Sequence, residues 1–372
     1  MIETSKLGKM EAIFLIVSIT INHIILNSPQ SIINLSGSSS LINVIYITIV
    51  ALLLVLLICK LLGYFPHQNI INISEYLGGK FLKYAISFVY IFYFIFCVSI
   101  YLRSFCDNLK IIFFTRTPII YLIILFILGT IICCRLGITA IIRANLIFMP
   151  LIIFSILFVF IANLGHFNFF NALPILGNGF DATFISGLSN LFAFSGIAFL
   201  YFIPSELKDS KEFKGIARSS VILSGILLLF SVAALLFLFP STYSKNNILP
   251  LYLASRIIEF GRFFQRLDPL FLLIWIFSMT SYFSILVSYI VKIFIHTTKI
   301  KSNYLIIYIV SIICLLLSIL PKNYSDVYFL QTQTFKYAVG IIVFGISFII
   351  LILATIKFKR KNHLLKGDKS IE

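Results

Sequence analysis

The chain has 372 residues, of which 60% are hydrophobic and 11% are charged, and its mean hydropathy is +1.07. A soluble domain carries about 25% charged residues, so this composition excludes a water-soluble globular protein and predicts a polytopic membrane protein. The net charge of +16 does not indicate nucleic-acid binding, because lysine and arginine also collect in cytoplasmic loops of membrane proteins and no basic segment with interleaved aromatic residues stands outside the apolar runs.

Apolar runs close to the length that a bilayer-spanning helix needs recur along the whole chain. We predict ten transmembrane helices, because lipid-exposed backbone must satisfy its own hydrogen bonds and the alternation typical of barrel strands is absent. The first run lacks an A-x-A-like site and is long enough to span, so no cleavable signal peptide is expected. The predicted spans are approximately residues 11–34, 43–65, 82–105, 118–134, 144–163, 181–203, 219–239, 269–295, 303–320 and 335–357.

The distribution of basic residues predicts the orientation of these spans. With the N-terminus in the cytoplasm, 20 of the 29 lysine and arginine residues lie in cytoplasmic segments and nine lie in external ones. This bias fits the positive-inside rule. Both termini are therefore expected in the cytoplasm.

The first and sixth spans contain polar or helix-weakening residues near their middle. The first includes "TINHIILNSP", Thr20 to Pro29, and the sixth includes "ISGLSNLFAFSGIAFLYFIPSE", with Ser195, Gly196 and Pro204. Interrupted segments at matching positions of two five-helix halves are typical of a transporter-type binding site. The alternative is that serine, asparagine and glycine only mediate helix–helix contacts in the membrane.

Two external segments are also unusual. Residues 164–180, "LGHFNFFNALPILGNGF", are rich in aromatic residues and carry no lysine or arginine. Residues 240–268 include apolar positions near helical spacing beside Arg256, Glu259, Arg262 and Arg266. This second pattern predicts a short amphipathic helix at the outer surface, facing lipid headgroups or a partner.

Motifs of enzymes and metal proteins are missing from the sequence. The 13 acidic residues fall in loops or near predicted span ends, which disfavours a proton-driven pump. The six cysteines form no CxxC pair and are interpreted as small buried hydrophobes. We therefore expect no catalytic residues, no metal site and no cofactor.

The two interruptions predict a small pocket near the membrane midplane. Its expected lining residues are Asn22, His23 and Ile24 from the first span and Phe194, Ser195, Gly196 and Ile197 from the sixth. A helix N-terminus suits a carboxylate and exposed carbonyls suit an ammonium group, so two facing breaks would match an amino acid. Gly196 would let the ligand approach the backbone closely.

Several segments resemble a known family. They are "INHIILNSP" in the first span, "NALPILGNG" before the sixth, "FAFSGIAFLYFIPSELKD" through the sixth and "ILPLYLASRIIEFGRFFQRLDPLFLLIW" leading into the eighth. Together with the rest of the chain, they resemble the B subunits of bacterial spore germinant receptors. This spore permease family is similar to amino-acid/polyamine/organocation transporters.

The resemblance implies an all-α integral membrane fold with a LeuT-like five-plus-five inverted repeat. The first repeat would cover about residues 11–163 and the second about 181–357, followed by a short basic cytoplasmic tail, 358–372, all within one membrane domain. The pocket would also draw on spans three and eight. Candidates there are Tyr93, Cys97, Val98, Met279, Thr280 and Ser281, for which ordinary core packing is the alternative.

The function implied is nutrient sensing in the spore inner membrane. The B subunit would bind a small germinant and signal to an A-type membrane subunit and a C-type lipoprotein. Many relatives carry glycine or serine where this chain has Asn22–His23, so His23 either joins in recognition or restricts the ligand's size. Two other functions stay open: an amino-acid or small-solute transporter of the same fold, and an assembly protein without a ligand.

Overall fold

A computed structural model of the protein describes residues 6–240, 250–259, 268–300 and 303–368. Within these ranges the chain is helical, and the one β-type pairing is an isolated bridge between Leu7 and Leu207. Nine helices there are long and apolar enough to cross a membrane, and a tenth apolar helix, Asn303–Ile319, has 17 residues. The prediction of about ten apolar helices is confirmed.

The helices follow the predicted spans in order, with changes at the ends. The first nine spans consist of Lys9–Leu26 with Ser28–Ser36, Ser40–Leu62, Ile70–Ile112, Ile119–Leu136, Ile138–Ala162, Asp181–Ser205, Phe213–Leu238, Asp268–Thr298 and Asn303–Ile319. The tenth runs through Tyr324–Phe329, Leu330–Thr334, Phe335–Ala338, Val339–Ile346 and Ser347–Asp368, of which the second and fourth segments are π-helical.

Two spans begin well before their predicted starts. Span three begins at Ile70 and not near residue 82, because a short helical arm is joined to it through a kink at Gly78 and Gly79. Gly79 has φ +69°, a conformation that glycine adopts without the steric cost of a side chain. Span ten begins at Tyr324 and not near residue 335, so its polar first turns lie inside the helix.

Span one is interrupted at Asn27. This residue has φ −140° and ψ −7°, and it separates Lys9–Leu26 from Ser28–Ser36. Its N–H donates to the His23 carbonyl at 3.2 Å, and the next bond in the series runs from Ser31 N–H to the Asn27 carbonyl at 2.9 Å. Pro29 has no N–H to continue the ladder. The break is therefore one turn beyond Asn22–His23, which lie in regular helix.

Span six is irregular over its whole length. It opens with a π-helical segment, Asp181–Ile185, and continues as a 3₁₀ helix, Ser186–Tyr201. Phe194 leaves helical geometry, with φ −93° and ψ 27°, next to Ser195 and Gly196. The sequence prediction that spans one and six are both interrupted is thus confirmed.

The two interrupted spans lie at the centre of the bundle. Span one packs against spans five, six, seven and eight, and span three packs against spans eight, nine and ten. Residues 12–33 of span one are all buried, whereas other spans expose large apolar side chains such as Leu53, Leu125 and Phe154. Apolar side chains on the outside suit a lipid environment, and the buried polar groups collect around span one.

The loop between spans seven and eight, which is predicted to be external, is described in part. It contains a helix, Pro250–Arg256, which supports the presence of helical structure there. Arg262 and Arg266 of the predicted amphipathic helix lie outside the described residues.

Candidate ligand site between spans one, three, six, eight and ten

The imidazole of His23 lies at the centre of a hydroxyl cluster. Its Nδ1 atom is 3.0 Å from Ser195 Oγ and 3.2 Å from Tyr101 Oη, and its Nε2 atom is 3.0 Å from Tyr282 Oη. A neutral imidazole has one donor and one acceptor nitrogen, and a hydroxyl can act as either. Both ring nitrogens are therefore satisfied by uncharged partners from spans three, six and eight.

Aromatic rings fix the orientation of the same imidazole. Tyr101 stacks on it with a centroid separation of 4.1 Å and an interplanar angle of 12°. Phe335 of span ten meets it edge to face at 5.1 Å, and Tyr282 does so at 5.6 Å. Edge-to-face and offset arrangements are the favoured geometries for aromatic pairs. His23 is thus held by side chains from four other spans.

A small cavity adjoins His23. It offers about 10 Å³ to the centre of a water molecule, which is room for about one water. Its polar lining residues are His23, Tyr93, Cys97, Ser195 and Tyr282, and the Phe94 and Phe199 rings stack with their centroids 5.4 Å apart. The full lining is Ile19, His23, Tyr93, Phe94, Cys97, Ser195, Ala198, Phe199, Tyr282 and Leu286.

The structure brings part of the predicted site together. His23, Tyr93 and Ser195 line the cavity, and so does Cys97. Asn22 precedes His23 in span one and is not among the lining residues. Its Oδ1 accepts from Ser278 Oγ at 2.9 Å, and its Nδ2 donates to the Ser18 carbonyl at 2.7 Å. Asn22 therefore joins span one to span eight.

Other predicted residues do not line this cavity. Ile24, Val98, Phe194 and Ile197 are buried in the surrounding core. Thr280 donates to the Ile276 carbonyl and approaches Gly129 of span four. The bare side of Gly196 faces span one, since a Cβ atom there would lie 2.6 Å from the Ile16 carbonyl oxygen and 2.9 Å from Thr20 Oγ1.

Three residues of the cluster were missed by the sequence analysis, Tyr101, Tyr282 and Phe335, and so was Gln331, whose carboxamide oxygen accepts from Asn27 Nδ2 of span one. Helical spacing could have found Tyr101, which follows Tyr93 and Cys97 at intervals of four on one face of span three. Tyr282 adjoins the predicted stretch 279–281. Gln331 gave no signal because span ten was predicted to begin after it.

Three carboxylates of the helical bundle have polar partners. Asp107 accepts from Arg103 Nε at 3.0 Å, Glu206 pairs with Lys292 Nζ at 2.7 Å, and Asp268 accepts from Tyr252 Oη at 2.7 Å. Asp107 lies inside span three because that helix continues to Ile112. The side chains that contact His23 among the described residues are uncharged.

The family of the chain follows from a comparison with known sequences. The spore permease family model, described as "Spore germination protein", matches residues 6–327. The chain belongs to this family. It is a member of the spore germination protein family, and its described part contains several apolar helices. The resemblance noted from the sequence motifs is confirmed.

Individual relatives cover most of the chain. Spore germination protein XB of Bacillus anthracis is 23% identical over 345 residues, which is 92% of this chain and 95% of that protein. Spore germination protein YndE of Bacillus subtilis is 22% identical over 365 residues, 97% of this chain and 99% of that protein. Spore germination protein KB of Bacillus subtilis is 25% identical over 213 residues, 56% and 57% of the two chains.

Solved structures with the same fold are transporters. A substrate-bound, outward-open Na⁺-coupled sialic acid symporter superimposes with a TM-score of 0.64 at 16% identity, covering 92% of this chain and 80% of that one. A manganese transporter of Eremococcus coleocola gives 0.50 at 15% identity, covering 93% and 77%. At this identity the likeness shows the fold alone. The chain has the LeuT-like fold, with spans one and six interrupted.

Proposed function

We propose that this chain is the ligand-binding B subunit of a spore germinant receptor in the spore inner membrane. The observation that supports this most is the His23 cluster, an uncharged set of hydroxyl and imidazole groups where both interrupted spans meet spans three, eight and ten. Buried polar groups at membrane depth are costly and mark functional sites. The germinant would be a small polar molecule such as an amino acid.

Ligand binding at this cluster requires a conformational change. The cavity accommodates about one water, whereas the smallest amino acid has five heavy atoms. The ligand must therefore replace contacts that His23 makes with Ser195, Tyr101 and Tyr282, and the spans that carry these groups must separate. A ligand that binds only the separated arrangement shifts the population towards it. An A-type subunit and a C-type lipoprotein in contact with this chain would read that shift.

The role of His23 can be tested on the purified full chain in detergent. A panel of single amino acids is screened for an increase in melting temperature, since a ligand that binds the folded state raises its stability by mass action. His23→Ala removes up to three hydrogen bonds to the ligand or its lining, each contributing about 0.5–1.5 kcal/mol. We expect at least tenfold weaker binding, because about 1.4 kcal/mol corresponds to a factor of ten.

His166→Ala is the matched control, because His166 is exposed in a short turn after span five. Each variant is compared with its own ligand-free melting temperature, so that a general loss of stability is not counted as lost binding. Equal affinities of parent and His23→Ala for the ligand identified in the screen would contradict this assignment.

A transporter of the same fold is the second candidate, because the superimposable solved structures are transporters. Uptake of the same ligand into proteoliposomes separates the two functions. Binding without uptake supports the receptor, and saturable uptake supports the transporter.

A further inference from the structure

Lys336 of span ten is a charged residue at the level of the central cluster. It follows Phe335, whose ring meets the His23 imidazole. Tyr282, which contacts the same imidazole, is 14 residues from the first residue of span eight and 16 from the last. At 1.5 Å per residue both ends are about 20 Å away or more, whereas half of the hydrocarbon core is about 15 Å thick. Lys336 therefore lies inside the membrane, away from both headgroup layers.

The ammonium group of Lys336 rests on an aromatic ring. Its Nζ is 5.1 Å from the centre of the Phe192 ring of span six, and Phe192 meets Phe335 edge to face at 6.1 Å. The face of a ring attracts a cation, which keeps the ammonium group at this depth. Among the described residues no carboxylate forms an ion pair with it. Because an unpaired charge inside a membrane is costly, Lys336 calls for a partner from outside this bundle.

The side of span ten next to Lys336 faces outwards and carries polar groups. Gln333 and Gly340 are exposed, Tyr337 is 69% exposed, and Lys336 is half-buried at the edge. The Cβ position of Gly340 has open space around it. Glycine lets two membrane helices approach closely, and glutamine forms hydrogen bonds across such contacts. These four residues, the Lys336 face, are therefore suited to contact with another helix.

The charge of the Lys336 face specifies the chemistry of that helix. Lipid phosphates lie in the headgroup layers, outside the hydrocarbon core, and do not reach this depth. A second copy of this chain offers no free carboxylate here. The acidic residue nearest in sequence to the His23 cluster is Asp107, six residues beyond Tyr101, and it is paired with Arg103. A matching carboxylate must come from a different membrane protein.

We propose that the Lys336 face docks a transmembrane helix of the A-type subunit, and that an aspartate or glutamate in the middle of that helix pairs with Lys336. The inference rests on the proposed function for the identity of the partner, because the A-type subunit is the membrane subunit of the two proposed partners. The ion pair satisfies both charges in the hydrocarbon layer. It also fixes the depth and the rotation of the docked helix.

The Lys336 face adjoins the elements that a ligand must displace. Phe335 contacts His23, and Phe192 precedes the irregular residue Phe194 of span six by two positions. Separation of the spans around His23 would move Phe335 and Phe192, and Lys336 with them. A helix paired with Lys336 is therefore coupled directly to the occupancy of the ligand site.

The contact can be tested by copurification. The full chain with an affinity tag is co-expressed with the A-type subunit of the same organism, and the amount of A-type subunit recovered per chain is measured in a mild detergent. Lys336→Met removes the charge at similar length, and recovery should fall about tenfold, which corresponds to about 1.4 kcal/mol. Lys336→Arg keeps the charge and should keep the recovery. Lys322 is exposed in the loop before span ten, so Lys322→Met and Lys322→Glu are the matched controls, for which parental recovery is expected.

A charge exchange identifies the partner residue and controls for folding. Lys336→Glu should abolish recovery. Each aspartate or glutamate within the apolar spans of the A-type subunit is then replaced by lysine in combination with Lys336→Glu, and the exchange at the true partner should restore recovery. A damaged fold could not be restored in this way. The melting temperature of Lys336→Met purified alone should equal or exceed that of the parent, because an unpaired charge is removed.

Parental recovery with both Lys336→Met and Lys336→Glu would overturn the proposal, and so would a parent that recovers no A-type subunit. If Lys336→Glu instead abolishes self-association of the chain alone, measured by light scattering, the face belongs to a second copy and the proposal is wrong. These measurements need no germinant, so they are independent of the binding experiment on His23. Ligand binding with parental recovery leaves the ligand site standing without this contact. Charge-dependent recovery without any ligand binding leaves the contact standing and refutes the ligand assignment.

Discussion

Gly196 lies at a close approach of spans one and six, and its substitution by alanine tests that contact. The added Cβ would lie 2.6 Å from the Ile16 carbonyl oxygen, well inside van der Waals contact, and 2.9 Å from Thr20 Oγ1. The Thr20 side chain can rotate away. The Ile16 carbonyl belongs to the helical backbone of span one and can move only if the whole helix shifts.

The cost of this substitution follows from two opposing effects. Overpacking a closed contact by one methyl group destabilises a protein by about 1–3 kcal/mol. Replacing glycine by alanine in a helix stabilises it by about 0.5–1 kcal/mol. Overpacking wins because the nearest atom is backbone. We expect Gly196→Ala to lower the free energy of unfolding by about 1–2 kcal/mol and to displace Ser195 from His23, with weaker ligand binding as a result.

Gly215 supplies the matched control. It lies in the first turn of span seven, and nothing is within 4 Å of the Cβ that alanine would add. Thermal unfolding of the full chain in detergent should show a lower melting temperature for Gly196→Ala and an equal or higher one for Gly215→Ala. Equal melting temperatures for the parent and Gly196→Ala would refute the packing argument.

Two further predictions concern the ends of the bundle. Arg103→Ala leaves the buried Asp107 carboxylate without the guanidinium that lies 3.0 Å away, and we expect a loss of about 3–5 kcal/mol in the free energy of unfolding. Arg116 is an exposed loop residue and supplies the control. The free energy of unfolding of Arg116→Ala should stay within about 0.5 kcal/mol of the parent's. A single cysteine at Gly165 tests the predicted external position of the loop after span five, because a Cβ at Gly165 would have open space around it. Gly177 in the same loop is less suitable, since it has φ +52° and its Cβ would meet the Ser36 carbonyl. A membrane-impermeant maleimide should label Gly165→Cys only from outside, and labelling from inside would reverse the predicted topology.

Hydropathy, together with the polar residues, glycine and proline inside the apolar runs, predicted the class of the protein, the approximate number of spans and the two interrupted helices. These features are local in sequence, because each segment must satisfy its own backbone in lipid. The segments "TINHIILNSP" and Ser195–Gly196 indicated the interruptions, because they contain residues that are unfavourable in an apolar helix. The first break lies one helical turn beyond the predicted position at Asn22–His23. The helix is interrupted at Asn27, because Pro29 cannot continue the backbone hydrogen bonds there.

Only the tertiary structure decided which polar groups meet. His23 contacts Tyr282, 259 residues away, and Asn27 contacts Gln331, 304 residues away. Span one is buried nearly all round, so its sequence carries no amphipathic stripe that would fix its rotation about its own axis. Packing against spans five to eight, together with side-chain contacts to spans three and ten, sets that rotation. It turns His23 towards the cavity and Asn27 towards Gln331, and it places the Ile16 carbonyl against the bare side of Gly196.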